Sequence, residues 1–189
     1  LDPHVVTGVP EHHLLIAMCE GLTIANPKGG DNLPGVAKAW TISPDGKTYT
    51  FLLQDNLLWS NGDTLTASDF VWSWKRILTP SLGSQYSDML YYIKGAADYH
   101  QGLSDDFSTV GVTAVNDREL RVELTYATPF FIKLLSHYST YPVHQETVLK
   151  HGTIDDRNGE WTRPGNFVCN GPMNLNTWEL NKEITVKKN

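Results

Sequence analysis

From Pro10 the chain reads Pro-Glu-His-His-Leu-Leu-Ile-Ala-Met-Cys-Glu and then Gly21. Proline near the start and glycine just past the end bracket a short helix. Leu33-Pro34-Gly35 predicts a turn. Ala39–Ser43 and Thr48–Leu53 flank Pro44-Asp45-Gly46-Lys47. Proline presets φ, aspartate bonds back to the backbone and glycine takes positive φ, so this stretch predicts a hairpin. Tyr49, Phe51 and Leu53 alternate with Thr50 and Leu52, which predicts a strand with one face more deeply buried. Leu57–Ser60 is a short apolar segment before a turn at Asn61-Gly62-Asp63. Thr66-Ala67-Ser68-Asp69 fits a capping box in which a carboxylate stands in for the usual Glu or Gln. Phe70, Val71, Trp74, Ile77 and Leu78 follow at helical spacing, Lys75 and Arg76 suit the C-terminal end, and Pro80 stops the helix.

Further along, Tyr86–His100 holds one or two short helices, and Val110–Val115 with Glu119–Leu124 forms a second hairpin across Asn116-Asp117. Pro129–His137 reads as a short helix with Phe130, Phe131, Leu134 and Leu135 on one side. Gln145–His151 reads as another, with Gly152 beyond it. Asn174–Leu180 and Glu183–Lys187 form a third hairpin. Strands and helices do not alternate regularly, so the expected class is α+β. The chain starts at Leu1 and stops within a strand-like run, and both ends read as cuts through something larger.

Composition narrows the function. The chain has 189 residues and a net charge of 15 − 21 = −6. With a pI of about 5.6 and scattered Lys and Arg, it is not a nucleic-acid platform. The longest apolar run, Leu14–Cys19, is far short of the ~20 residues that span a bilayer. Six Trp, eight Tyr and six Phe suit a cleft as well as a core. Cys19 and Cys169 are compatible with two small buried hydrophobes or with one long-range disulfide in an oxidising compartment. His12 and His13, adjacent on a helix, point in different directions and cannot share a metal. His144 and His151 lack the Glu of a metalloprotease. There is no nucleophile elbow, P-loop or dinucleotide fingerprint, and no carboxylate pair is forced together by spacing. Asp45 and Asp117 have work in turns and Asp69 at a helix cap. Trp72 and Trp74 suit the core better than a ligand platform. Metal sites and catalysis are unsupported.

Trp40-Thr41-Ile42-Ser43-Pro44-Asp45-Gly46-Lys47-Thr48-Tyr49-Thr50-Phe51, then Trp59-Ser60-Asn61-Gly62-Asp63, then Thr66-Ala67-Ser68-Asp69-Phe70-Val71-Trp72-Ser73-Trp74-Lys75-Arg76, form a distinctive series. It resembles the signature region of the bacterial extracellular solute-binding proteins, family 5, the oligopeptide/dipeptide/nickel class, and within it the oligopeptide-binding proteins. Leu1-Asp2-Pro3-His4 with Gly8-Val9-Pro10-Glu11, Glu20-Gly21-Leu22, Pro34-Gly35-Val36-Ala37 and Asn170-Gly171-Pro172-Met173 extend the resemblance to the whole chain.

The resemblance implies a periplasmic-binding-protein-like fold (type II, cluster C) of which this chain is the first third or so. Residues 1–19 would be a first-lobe segment lining the cleft, 20–144 a hairpin-rich inserted mixed subdomain, and 145–189 a return into the first lobe, with the second lobe outside the chain. It implies the solute-binding component of an ABC importer, without catalysis, cofactor or metal. Such a protein would sit in the periplasm or be lipid-anchored outside the membrane, act as a monomer and dock on permease subunits. The implied ligand is an extended oligopeptide held by backbone pairing. Dipeptides, nickel complexes, opines and oligosaccharides are the alternatives in the same fold, and a hydrolase or a signalling protein the alternatives in class. The matched ligand-lining positions are Thr7, Gly8, Val9, Tyr86 and His137. Some relatives carry an acidic residue where Thr7 stands, and an arginine is frequent where Gln54 stands. A rim aromatic and a structural histidine are the plainer readings of Tyr86 and His137.

Overall fold

A computed structural model describes residues 1–189. The elements in chain order are α1 (Val9–Met18), β1 (Thr23–Ile24), β2 (Leu33–Pro34), β3 (Ala37–Ile42), β4 (Thr48–Leu53), α2 (Ala67–Leu78), α3 (Ala96–His100), β5 (Val112–Asn116), β6 (Glu119–Glu123), α4 (Phe131–Leu134), α5 (Gln145–Lys150), β7 (Met173–Glu179) and β8 (Glu183–Lys188), with short 3-10 turns between them. All pairings are antiparallel: β1 with β2, a four-stranded sheet ordered β3-β4-β6-β5, and β7 with β8. No helix is long and apolar enough to cross a membrane.

The central sheet follows from its turns. Gly46 takes φ +70°, its amide donates to the Ser43 carbonyl at 2.8 Å, and Asp45 accepts from the Lys47 amide at 3.1 Å. This closes the β3-β4 hairpin. The alternation in β4 is realised: Tyr49, Phe51 and Leu53 are buried, and Phe51 lies opposite Leu120 and Tyr49 opposite Val122 on β6. Across β5-β6 the Asn116 side chain accepts from the Arg118 amide at 2.9 Å.

Helix α2 covers this sheet. Its start is held by Asp69, which accepts from the Thr66 amide at 2.7 Å and the Thr66 hydroxyl at 3.1 Å. The Asp117 carbonyl takes the Ala67 amide at 2.8 Å, tying the helix start to the second hairpin. Phe70, Trp74, Ile77 and Leu78 are fully buried. Trp74 donates to the Thr140 carbonyl at 2.9 Å, and Trp72 is partly buried against Val143, Val148 and Trp161, so both tryptophans pack inside.

Two expectations change. Leu33–Pro34 is a two-residue strand against Thr23–Ile24 rather than a free turn, because the chain must return to Gly21 and Leu22, whose carbonyls take the Val36, Gly35 and Ala37 amides. Helix α4 is a single turn that begins after Phe130. Phe130 is therefore exposed and meets Tyr92 edge-on, centroids 5.2 Å apart, while Phe131 and Leu135 are buried.

A second core joins the ends of the chain. Leu1, Leu15, Met18, Tyr138, Tyr141 and Leu175 pack around a Cys19–Cys169 disulfide, Cα–Cα 5.3 Å. The disulfide reading of the cysteines is therefore the one realised. Beside it, Asn170 pairs with the Glu20 peptide, accepting from its amide at 3.0 Å and donating to its carbonyl at 2.9 Å. A Cβ at Gly171 would stand 2.5 Å from the Met18 carbonyl, so only glycine allows this close approach.

Between the two cores lies a buried charge cluster. Arg76 on α2 donates to both carboxylate oxygens of Asp2, at 2.9 and 2.6 Å, and to His4 Nδ1 at 3.1 Å. His4 Nε2 donates to the Tyr141 carbonyl at 3.1 Å, so His4 is the neutral Nε2-H tautomer. Burial, then the Arg76 charge, pushes His4 down to about 4. Burial alone would raise the Asp2 carboxyl, but Arg76 overrides it and holds it below the usual carboxylate range.

Two outcomes follow from this cluster. Arg76→Met leaves a buried carboxylate without its partner and is expected to cost about 3–5 kcal/mol, measured by urea unfolding; a loss below about 1 kcal/mol contradicts the assignment. The folded His4 value lies below its ordinary 6.5, so its contribution is complete above that pH and is lost as pH falls toward about 4. The thermal midpoint is expected to fall over that window, and a flat profile contradicts a neutral buried His4.

Candidate functional site

Four rings from three parts of the chain meet at one place. His137 and Tyr138 open a 3-10 turn at Tyr138–Thr140, Tyr86 precedes the one at Ser87–Leu90, and His12 projects from the first turns of α1. Tyr86 meets His137 edge-on at 4.9 Å between centroids and Tyr138 at 6.0 Å. His12 stacks on His137 at 6.1 Å and tilts against Tyr138 at 5.4 Å. The Tyr138 hydroxyl donates to the Val6 carbonyl at 2.9 Å, which fixes the segment leading to Thr7 and Gly8 beside the rings.

His137 has a structural task and a free one. Its Nδ1 meets the Ser139 hydroxyl at 2.8 Å and accepts from the Ser139 amide at 3.3 Å; the amide bond assigns the proton of the neutral ring to Nε2. No group of the chain bonds that nitrogen. Burial and then the charge of His12 push His137 down to about 4, so the ring is neutral at physiological pH. Burial first, then Tyr86, pushes the Tyr138 phenol up to about 12. The site therefore offers a neutral imidazole and aromatic faces, with the Glu11 carboxylate beside Gly8 and Tyr138.

Tyr86 and His137 are thus in contact, and Thr7 and Gly8 are held nearby through Val6. Gly8 is extended, φ −85° and ψ 152°, and its carbonyl takes the His12 amide. The Thr7 main chain and the Gly8 amide have no backbone partner. Val9 differs from the expectation of an extended segment: it is the first residue of α1 and 68% exposed, because Pro10 presets helical φ immediately after it. His12 and Tyr138, which the sequence pattern does not single out, join Tyr86 and His137 in the cluster. Spacing alone links His12 to Val9, since it lies three residues after it on a helix and so shares its face. Gln54, where an arginine was noted as frequent, donates to the Gly35 carbonyl and so braces the scaffold.

The ring cluster lies against the second apolar core, and comparison with known proteins supplies the class. Residues 33–189 match the family described as bacterial extracellular solute-binding proteins, family 5 Middle. The periplasmic oligopeptide-binding protein OppA of Escherichia coli is 38% identical over 190 residues, covering 100% of this chain and 33% of that protein. The oligopeptide-binding protein OppA of Bacillus subtilis is 42% identical over 174 residues, 90% of this chain and 30% of that protein. Among solved structures, a periplasmic oligopeptide-binding protein (OppAIV) from Borrelia burgdorferi superposes with a TM-score of 0.92 at 33% identity, covering 100% of this chain and 37% of that one. The chain belongs to the bacterial extracellular solute-binding proteins, family 5. It spans about a third of the length of the curated relatives it matches.

His12→Ala should raise the His137 value from about 4 without restoring the ordinary 6.5, because burial is the larger cause and the His12 charge the smaller. An NMR titration of the His137 ring protons measures this. An unchanged His137 titration contradicts the contact.

Proposed function

We propose that this chain forms one wall of the ligand cleft in the solute-binding component of an ABC importer, and that the ligand is an oligopeptide held in extended form without covalent chemistry. The observation that carries the reading is the unpaired main chain at Thr7 and the Gly8 amide, lying beside the Tyr86–His137 pair. Backbone groups offered to a strand-like ligand pair with any sequence, so affinity comes from main-chain bonds and is broadly tolerant of side chains. The free Nε2 of His137 adds a neutral donor for a peptide carbonyl. The names of the bacterial relatives, oligopeptide-binding in Escherichia coli and in Bacillus subtilis, support the ligand class.

In this reading residues 1–19 and 145–189 belong to the first lobe and 20–144 to an inserted subdomain. The division of the apolar core supports the separation of Leu1–Cys19, Cys169 and Leu175 from the cluster that runs from Leu22 to Leu135, although Tyr138 and Tyr141 of the 20–144 span pack with the former. The working protein acts as a monomer in the periplasm or lipid-anchored outside the membrane, closes on its ligand by a hinge, and delivers it to permease subunits.

The test is calorimetry of the native full-length polypeptide with a peptide library. Peptides are expected to bind, and a saturating peptide at 100 times its Kd is expected to stabilise the fold by about 2.7 kcal/mol. Gly8→Pro removes the unpaired amide at a φ that proline adopts, and its Cβ meets only the flexible Glu11 carboxylate. It is expected to weaken binding by up to about tenfold with little loss of stability. Tight binding of another solute class with no peptide bound at all overturns the reading.

A further inference from the structure

Beside the ring cluster, the exposed stripe of α1 leads to a cavity of about 390 Å³ lined by His12, Ile16, Glu20, Ile24, Tyr141 and Pro172, among others. His12 belongs to both places, since its ring also stacks on His137. Ile16 is 45% exposed, although it sits one helical turn beyond His12 on the same face. It lines the cavity together with the half-buried Ile24 and the exposed Pro172.

Glu20 also lines the cavity. Its main chain is fixed on both sides by the Asn170 amide group, and its Oε1 lies 3.2 Å from where a Cβ at Gly35 would stand. The carboxylate itself has no hydrogen bond and no Lys, Arg or His within ion-pairing distance. The neighbouring Tyr141 hydroxyl is committed to the Ser136 carbonyl at 3.2 Å. A half-buried carboxylate without a partner is costly, and its carboxyl is raised by burial. Its charge in turn is a lesser cause, after burial, of the Tyr141 phenol rising to about 12.

A cavity that sets Ile16, Ile24 and Pro172 beside an unpaired acid is complementary to one side-chain chemistry: an aliphatic stem carrying a cationic head. We propose that this cavity is a side-chain subsite for a lysine or arginine of the bound peptide, with Ile16, Ile24 and Pro172 packing the stem and Glu20 pairing the charge. This rests on the peptide reading above and adds a preference to it: neutral peptides bind through the main chain, and basic ones gain at Glu20.

Calorimetry of the native full-length polypeptide tests it with Ala-Ala-Ala, Lys-Ala-Ala, Ala-Lys-Ala and Ala-Ala-Lys, and with norleucine in place of each lysine. At least one lysine peptide is expected to bind about tenfold more tightly than Ala-Ala-Ala. Norleucine at the same position, which keeps the stem and drops the charge, should lose most of that gain in the unaltered protein. Glu20→Gln should abolish the lysine gain while leaving the affinity for Ala-Ala-Ala within about twofold. Equal affinities across the series, a norleucine gain equal to that of lysine, or a lysine gain that survives Glu20→Gln each overturn the subsite and leave the peptide reading standing. If none of these tripeptides binds, the subsite falls, and the peptide reading falls with it only when no member of the wider peptide library binds either.

Discussion

The bidentate pair between Arg76 and Asp2 is the bolt of this molecule. Arg76 sits on the helix that covers the central sheet, and Asp2 on the segment that leads to Thr7 and Gly8. With Arg76 fully buried, each charge depends on the other, since leaving one buried ion unpaired costs several kcal/mol. The pair therefore selects one placement of the N-terminal segment. His4 extends the same logic, because its neutral ring accepts from Arg76 and donates to Tyr141. One arginine thus couples the N-terminal segment to α2 and, through His4, to the Tyr138–Tyr141 stretch.

That coupling puts the candidate site at the seam between two cores. His12, Tyr86 and His137 are distant in the chain, yet their rings touch. Burial keeps His137 neutral, so the rings present a neutral donor and aromatic faces, with the Glu11 carboxylate against Gly8 as a neighbouring charge. The disulfide between Cys19 and Cys169 and the Asn170–Glu20 pairing hold the end of α1 against the chain that enters β7. They fix the unpaired Glu20 carboxylate and the exposed α1 stripe relative to the rings.

The contrast between scaffold and site is visible in where polar groups find partners. In the hairpins and at the start of α2, Asp45, Asn116 and Asp69 each bond a local amide. At the seam, the Gly8 amide, the Nε2 of His137 and the Glu20 carboxylate have none within the chain. Groups already satisfied internally gain nothing from a ligand, so under the proposed reading these unpaired groups are the ones that would add to binding.

Local chemistry was legible in the amino-acid order. The capping box at Thr66, the Pro-Asp-Gly hairpin, the period-two burial of Tyr49, Phe51 and Leu53 and the helical period from Phe70 to Leu78 each follow from forces acting within about ten residues, and each appears where the pattern places it. The long signature from Trp40 to Arg76 was enough to indicate the family. Only the tertiary structure decided what depends on distant partners. The choice between thiols and a disulfide turned on how close residues 19 and 169 come. The burial of Arg76, written as an ordinary helix-end cation, turned on Asp2, 74 residues away. His12 became part of a ring cluster, and Phe130 left the core, for the same reason: periodicity states which face a residue shares, but what covers that face is set by chain segments that local patterning does not see.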